Sequence, residues 1–197
     1  MLLESVIIAV LIGFFAGGSF NSLVEINLKH LELLFLGALL QIFAFWSVKF
    51  TLGWSSHWII PLTHSLSYLF LMGFTWTNRA FRGFRLVTLG IALNAAVIIL
   101  NGGLMPVDPT FVPESSRQLL ETGTGTHGIL TEATLLGFLA DIFYANIPIF
   151  GKQLFSFGDV LIDLGMVVFI VKQMRRPTAY NAVKEGDTHV KSGIFKP

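Results

Sequence analysis

Five stretches of this chain, residues 2–20, 31–48, 58–76, 84–100 and 154–171, are apolar over nearly their whole length. About 20 such residues carry a helix across the hydrocarbon core of a bilayer, so these runs constrain the fold more than any single motif. The composition agrees: 53% of residues are hydrophobic and 13% charged, with a mean hydropathy of +0.71, whereas roughly a quarter of a soluble domain is charged. The expected fold class is all-α: a polytopic membrane helix bundle of five transmembrane helices plus one short interfacial or re-entrant helix on the outer side. That short helix is residues 129–143, whose 15 positions rise only ~22 Å and include Glu132 and Asp141. Its insertion as a sixth span is the alternative topology.

Charge sets the orientation. Lys29, Arg79, Arg82, Arg85, Lys172, Arg175 and Arg176 fall on one side of the expected bundle, and Lys49, Arg117 and Lys152 on the other. The positive-inside rule makes the first side cytoplasmic. The N-terminus is then outside, residues 1–171 form the transmembrane domain, and its segment 102–153 is external. Residues 172–197 form a polar cytoplasmic tail without ordered structure. The start Met1-Leu2-Leu3-Glu4 lacks the basic residues of a signal peptide, so the first run is expected to be retained in the cell membrane. Trp46, Trp54, Trp58 and Trp76 sit near run ends, as in an aromatic belt.

Some classes are excluded. The net charge is +1, from 13 basic and 12 acidic residues, which leaves no basic surface for nucleic acid. Cysteine is absent, which removes disulfides, thiolate catalysis and cysteine-ligated zinc or iron–sulfur centres; no metal site is expected. Apart from the lipid bilayer, the expected partner is a membrane protein or a second copy. Ala9, Gly13 and Gly17 have the small-xxx-small spacing that lets helices approach closely, within the chain or toward such a partner.

An ionised side chain at the centre of a membrane helix costs roughly 2.5–3.5 kcal/mol, so polar residues inside the runs carry information. Asp159 and Asp163 are four residues apart in the last run and share one helix face. Asn94 and Asn101 are seven apart in the fourth, which ends in Asn101-Gly102-Gly103-Leu104-Met105-Pro106, a turn with exposed backbone amides. His64, His127 and Asp141 belong to the same outer half. The reading is one polar site built from Asn101, Gly102, Gly103, His127, Asp141 and Asp159, with His64 and Asp163 beneath or beside it. Asn94 and His64 also suit a purely structural role, as hydrogen bonds between helices. The stretch with Pro106, Pro109 and Pro113 that continues into Gly123–Gly128 is expected to be a structured external loop or a mobile lid.

The strings Asn101-Gly-Gly-Leu-Met-Pro106, Leu139-Ala-Asp141-Ile142 and Phe155-Ser-Phe-Gly-Asp159, with Gly165 downstream, resemble those of an uncharacterised bacterial family of small multi-pass membrane proteins known only as a domain of unknown function. The resemblance covers about residues 1–175. It implies a bacterial membrane protein and no activity. Asp141 ahead of Pro148, followed by Phe155-Ser156-Phe157-Gly158-Asp159 opening the last run, is also similar to the arrangement in lipoprotein signal peptidases, which are aspartic proteases. That resemblance implies a catalytic dyad of Asp141 and Asp159, in which one carboxyl activates water and the other donates a proton. The chain departs from that family's pattern at Phe138-Leu139-Ala140, at Ile142 and at Ser156-Phe157-Gly158.

Three functions are therefore expected in order. The first is a small subunit or assembly factor of a membrane complex. The second is a membrane-embedded aspartate-dependent hydrolase acting on a lipid-linked or membrane-anchored substrate. The third is proton-coupled transport through Asp159, Asp163 and His64. No cofactor is specified by the sequence, although His64 and Tyr68, one helical turn apart, would suit a haem or quinone.

Overall fold

Glycine, proline and capping residues cut the apolar runs into the helices that form. The structure, a computed structural model, describes residues 2–49, 56–114, 117, 120–121, 125–147 and 151–177. Helix α1, Leu2–Phe15, stops short of the first run's end because Gly17 takes φ +77°. There Gly17 N–H donates to Phe14 O at 3.0 Å and Gly18 N–H to Gly13 O at 2.9 Å, a pairing that closes a helix C-terminus with a left-handed residue. The short α2, Asn21–Val24, follows. Helices α3 (Leu31–Lys49), α4 (Ser56–Thr77) and α5 (Phe84–Leu100) occupy the second to fourth runs. The last helix, α6, spans Phe157–Met174.

Among the described residues no helix is long and apolar enough to cross a membrane. This finding overturns the expected five-span membrane bundle, and with it the multi-pass localisation and the outside-to-cytoplasm orientation. The reasons are physical. Helices α1 and α5 have 14 and 17 residues, fewer than the ~20 needed. The longest, α4, is diluted by Pro61, Thr63, His64, Ser65 and Ser67, and α6 carries Asp159, Asp163 and Lys172. Large apolar side chains nevertheless remain exposed, among them Phe15 on α1, Phe35 and Phe45 on α3, and Trp58 on α4. Trp54, Gly123, Pro148 and residues 178–197 of the expected tail lie outside the described residues.

Residues 129–143 do not form the expected interfacial helix. The segment leaves a strand, turns where Thr134 Oγ1 accepts from Thr131 N–H at 2.9 Å, passes through Leu136 at φ 54°, and makes one 3-10 turn at Gly137–Leu139. Threonine side chains compete for the backbone, and a left-handed leucine ends any helix. Strands β1 (Met105–Val107) and β2 (His127–Ile129) pair in parallel, Met105 opposite His127. Strands β3 (Phe143–Ile147) and β4 (Gly151–Phe155) form an antiparallel hairpin, Phe143 opposite Phe155. The final apolar run thus begins as strand and becomes helix only after Ser156.

The longer helices pack in the spatial order α3, α4, α5, α6, α1. Their largest buried cluster holds Phe74, Phe84, Val87, Ile91, Phe169 and Met174, with Phe84 and Phe169 stacked at 4.6 Å. Ala9 is fully buried, and Gly13 and Gly18 abut Met174, so the small-residue face of α1 packs on α6 within the chain; Gly17 has open space around it. A second glycine seam sets the distance between α5 and α6. A Cβ on Gly90 would strike Gly158 O, and one on Gly165 would come within 2.7 Å of Gly83 O. The two helices therefore touch backbone to backbone, and this contact places the site.

Candidate functional site

Close approach of α5 and α6 brings Asn94 onto the first turn of α6. Ser156 caps that helix: its Oγ accepts from Asp159 N–H at 3.0 Å, while the Asp159 carboxylate accepts from Ser156 N–H at 2.9 Å. This reciprocal pairing satisfies backbone donors that a helix start leaves open. Asn94 Nδ2 donates to the other oxygen, Asp159 Oδ1, at 2.8 Å. The Ser156 hydroxyl lies 2.9 Å from both Asn94 Oδ1 and Asp159 Oδ2, and Tyr68 lines the same cavity as Asn94. Asp159 is thus held on both oxygens by the fold itself.

Asp141 is positioned by the opposite strategy. Its backbone N–H donates to Pro106 O at 3.0 Å, and its carbonyl accepts from Asp108 N–H at 3.0 Å, so it bridges to Val107 beside β1. The main chain is pinned while the carboxyl is not tied to the backbone or to a cap among the described residues. Oδ1 is buried without a hydrogen-bond partner among the described residues, and Oδ2 lies 3.8 Å from His127 Nε2, beyond hydrogen-bond reach. With only 9% of the side chain exposed, burial raises the Asp141 pKa to about 7, and the charge of Asp159 pushes the same way.

His127 arrives from β2, and its Nδ1 is 3.0 Å from Thr126 Oγ1. Burial, and then His64, hold its imidazole down at about 4 against the pull of Asp159. The side chain still keeps 48% of its surface accessible, because it lines a cavity wall instead of packing in the core. His64, on α4, is buried and has Nδ1 at 2.9 Å from Gly103 O. A carbonyl only accepts, so His64 Nδ1 carries the proton and Nε2 is the acceptor. Burial lowers its pKa, opposed by that backbone bond. Gly103, at φ 85°, lies so close to Pro61 that a Cβ would collide with it, which is why its carbonyl can reach α4.

Together these groups line a cavity of about 310 Å³ that includes His64, Tyr68, Asn94, His127, Asp141 and Asp159. The expected set divides accordingly. His64, His127, Asp141 and Asp159 converge, and Gly103 supports His64. Gly102 is exposed at φ 71°. Asn101 turns away: its side chain accepts from Leu135 N–H at 3.0 Å and donates to Leu135 O at 2.9 Å, beside a separate 510 Å³ cavity. Asp163 accepts from Ser5 Oγ at 2.9 Å, joining α1 to α6. No hydrogen bond joins Asp141 to Asp159 among the described residues; the partner facing Asp141 is His127.

Sequence reasoning missed Ser156. Its signal was present, since Ser156-Phe-Gly-Asp159 has capping-box spacing. It also missed the seam, visible as Gly83 and Gly90, and Gly158 and Gly165, each pair seven residues apart. Among the described residues no group of three or more His, Asp or Glu is placed to hold a metal ion.

The sequence pattern of DUF5317, a family of unknown function, matches residues 25–171. The chain belongs to this family. More specifically, it is 31% identical over 180 residues to an uncharacterized protein of Thermotoga maritima, an alignment that covers 90% of this chain and 95% of that protein. No solved structure matches it.

Proposed function

We propose that the chain is a hydrolase of small polar molecules, with Asp141 and His127 as its acid–base pair. One observation carries this reading: a buried carboxyl, whose Oδ1 has no hydrogen-bond partner among the described residues, lines a cavity beside an imidazole that is neutral at pH 7. A carboxyl that titrates near neutrality suits general acid catalysis. In the reaction, His127 Nε2 takes a proton from water as the water oxygen bonds to the electrophilic carbon or phosphorus. Asp141 gives its proton to the departing group as that bond breaks. Return of the proton from His127 to Asp141 across the 3.8 Å gap resets the pair. Asp159 touches no reacting atom in this scheme; burial keeps the proton on Asp141, and the charge of Asp159 adds to that effect. The cavity, about 310 Å³, is at the small end of the ~300–1,000 Å³ range of ligand sites.

The test is turnover of a panel of small ester, amide and phosphate-ester substrates. D141N and H127Q are expected to lose activity by about 10²-fold or more, while D163N retains it. An active D141N variant overturns the reading. A wild type that hydrolyses nothing in the panel shifts the weight to a second reading, a subunit of a larger assembly, which is favoured by the exposed Phe15, Phe35, Phe45 and Trp58. Phe35, Phe45 and Trp58 lie on the packed pair α3 and α4, and large exposed apolar side chains gathered on one face mark interaction sites. Stoichiometric copurification with a partner supports that reading, and a monomer in mild detergent counts against it.

A further inference from the structure

Two cavities at the α4–α5 turn share a wall. One is an apolar groove of about 820 Å³ along α4 and α5, lined by Leu69, Met72, Leu89 and Ala92 and bordered by Arg79 and Arg85. The other, of about 500 Å³, also contains Arg79 and Arg85, together with Arg82 and Lys172. Among the described residues no carboxylate lines either cavity, and none of the three arginines has an acidic partner. Trp76, on the groove wall, is twelve residues beyond His64, ~18 Å along the helix, so this place is separate from the polar cavity. Arg79 is already oriented. Its Nη1 donates to Trp76 O at 3.0 Å, and its guanidinium lies 4.7 Å from the Trp76 ring centroid, which leaves further N–H donors for a ligand.

Isolated surface arginines are ordinarily solvated and mean nothing. Here they terminate a groove whose walls leave Trp76 57% and Leu89 50% exposed. Apolar length ending in unpaired positive charge is complementary to one kind of molecule. We propose that this composite site binds a single-chain anionic amphiphile, with the alkyl chain in the α4–α5 groove and a phosphate or carboxylate headgroup against Arg79 and Arg85. The planar fork of a guanidinium matches either headgroup, and burial of each CH₂ adds to the affinity.

The experiment titrates the purified full chain, in a neutral sterol-type detergent, with dodecyl phosphate, inorganic phosphate and dodecanol. Dodecyl phosphate is expected to saturate one site per chain, with the other two binding about tenfold or more weakly. The R79Q/R85Q double variant changes only exposed side chains and should weaken dodecyl phosphate by about tenfold or more. A92F, which fills the groove, should do the same, whereas R117Q should not. If A92F does not fold, R79Q/R85Q decides alone. Equal affinity for phosphate with and without the alkyl chain describes a plain basic patch and overturns the proposal. So does unchanged affinity in R79Q/R85Q, or no saturation by dodecyl phosphate. A dimer that A92F dissociates, with no amphiphile bound, assigns the groove to a second copy and overturns it as well.

Discussion

His127 Nε2 and Asp141 Oδ2 stand 3.8 Å apart on one cavity wall, and their order of titration is inverted. Burial lifts the carboxyl to about 7, while burial and His64 lower the imidazole to about 4. At neutral pH the pair is a partly protonated acid beside a neutral base, not an ion pair.

This inversion has a signature in stability. Unfolded, Asp141 loses its proton near 3.8; folded, it keeps it to about 7. The native state binds more protons between these values, so the Asp141 contribution is full below 3.8 and is lost as pH rises through 7. His127 has the opposite sign: its contribution is present above 6.5 and lost as pH falls through about 4. Since its side chain is half open, solvent screening makes the histidine contribution the smaller one. Stability of the wild type should fall between pH 4.5 and 7.5, D141N should lose that fall, on the order of 2–4 kcal/mol, and H127Q should steepen it. Urea midpoints at the two pH values measure this, and a D141N midpoint that still declines would refute the assignment.

The α5–α6 contact makes a steric prediction. A Cβ on Gly158 would collide with Asn94 Oδ1 and come within 2.8 Å of Gly90 O. Neither neighbour is the free end of a long side chain. Gly158→Ala is expected to destabilise by ~1–3 kcal/mol, whereas Gly17→Ala, with open space but φ +77°, suffers only backbone strain. Chemical denaturation of the two variants separates the mechanisms, and the Gly158 variant should also shift the Asp141 titration, because Asn94 holds Asp159.

Asn101 provides a control. Its two hydrogen bonds to Leu135 tie the end of α5 to the turn before Gly137–Leu139. Asn101→Ala should cost ~1–2 kcal/mol and speed amide exchange around Leu135 while leaving the Asp141 titration in place. If Asn101 belonged to the polar cavity, that titration would move with it.

How legible each part was depends on how local its cause is. Helix α5 coincides with the fourth apolar run, because Gly83 and the Asn101-Gly102-Gly103 turn bound it in sequence. The cavity residues were legible as carboxyl and imidazole groups set among apolar neighbours. The spanning interpretation went wrong because hydropathy counts apolar residues without knowing where helices stop: α1 ends at a left-handed glycine, and the fifth run opens as strand β4. Residues 129–143 looked helical by composition, but Leu136 is left-handed, and β2 pairs with a strand some twenty residues upstream. Asn101 was drawn toward the site by its neighbours Gly102 and Gly103, although its partner is Leu135. That Asp159 is held by Asn94 depends on two helices meeting at their glycines, a relationship between segments that neither segment contains alone.

The small strand β1 has a mechanical consequence. His127 is hung on it through the pairing with Met105, and Asp141 through the bridge to Val107, whereas His64 and Asp159 are carried by helices. The acid and the base share one short beam. If that beam rocks against the helical frame, their mutual spacing persists while the distance to Asp159 changes, and the proton affinity of Asp141 changes with it.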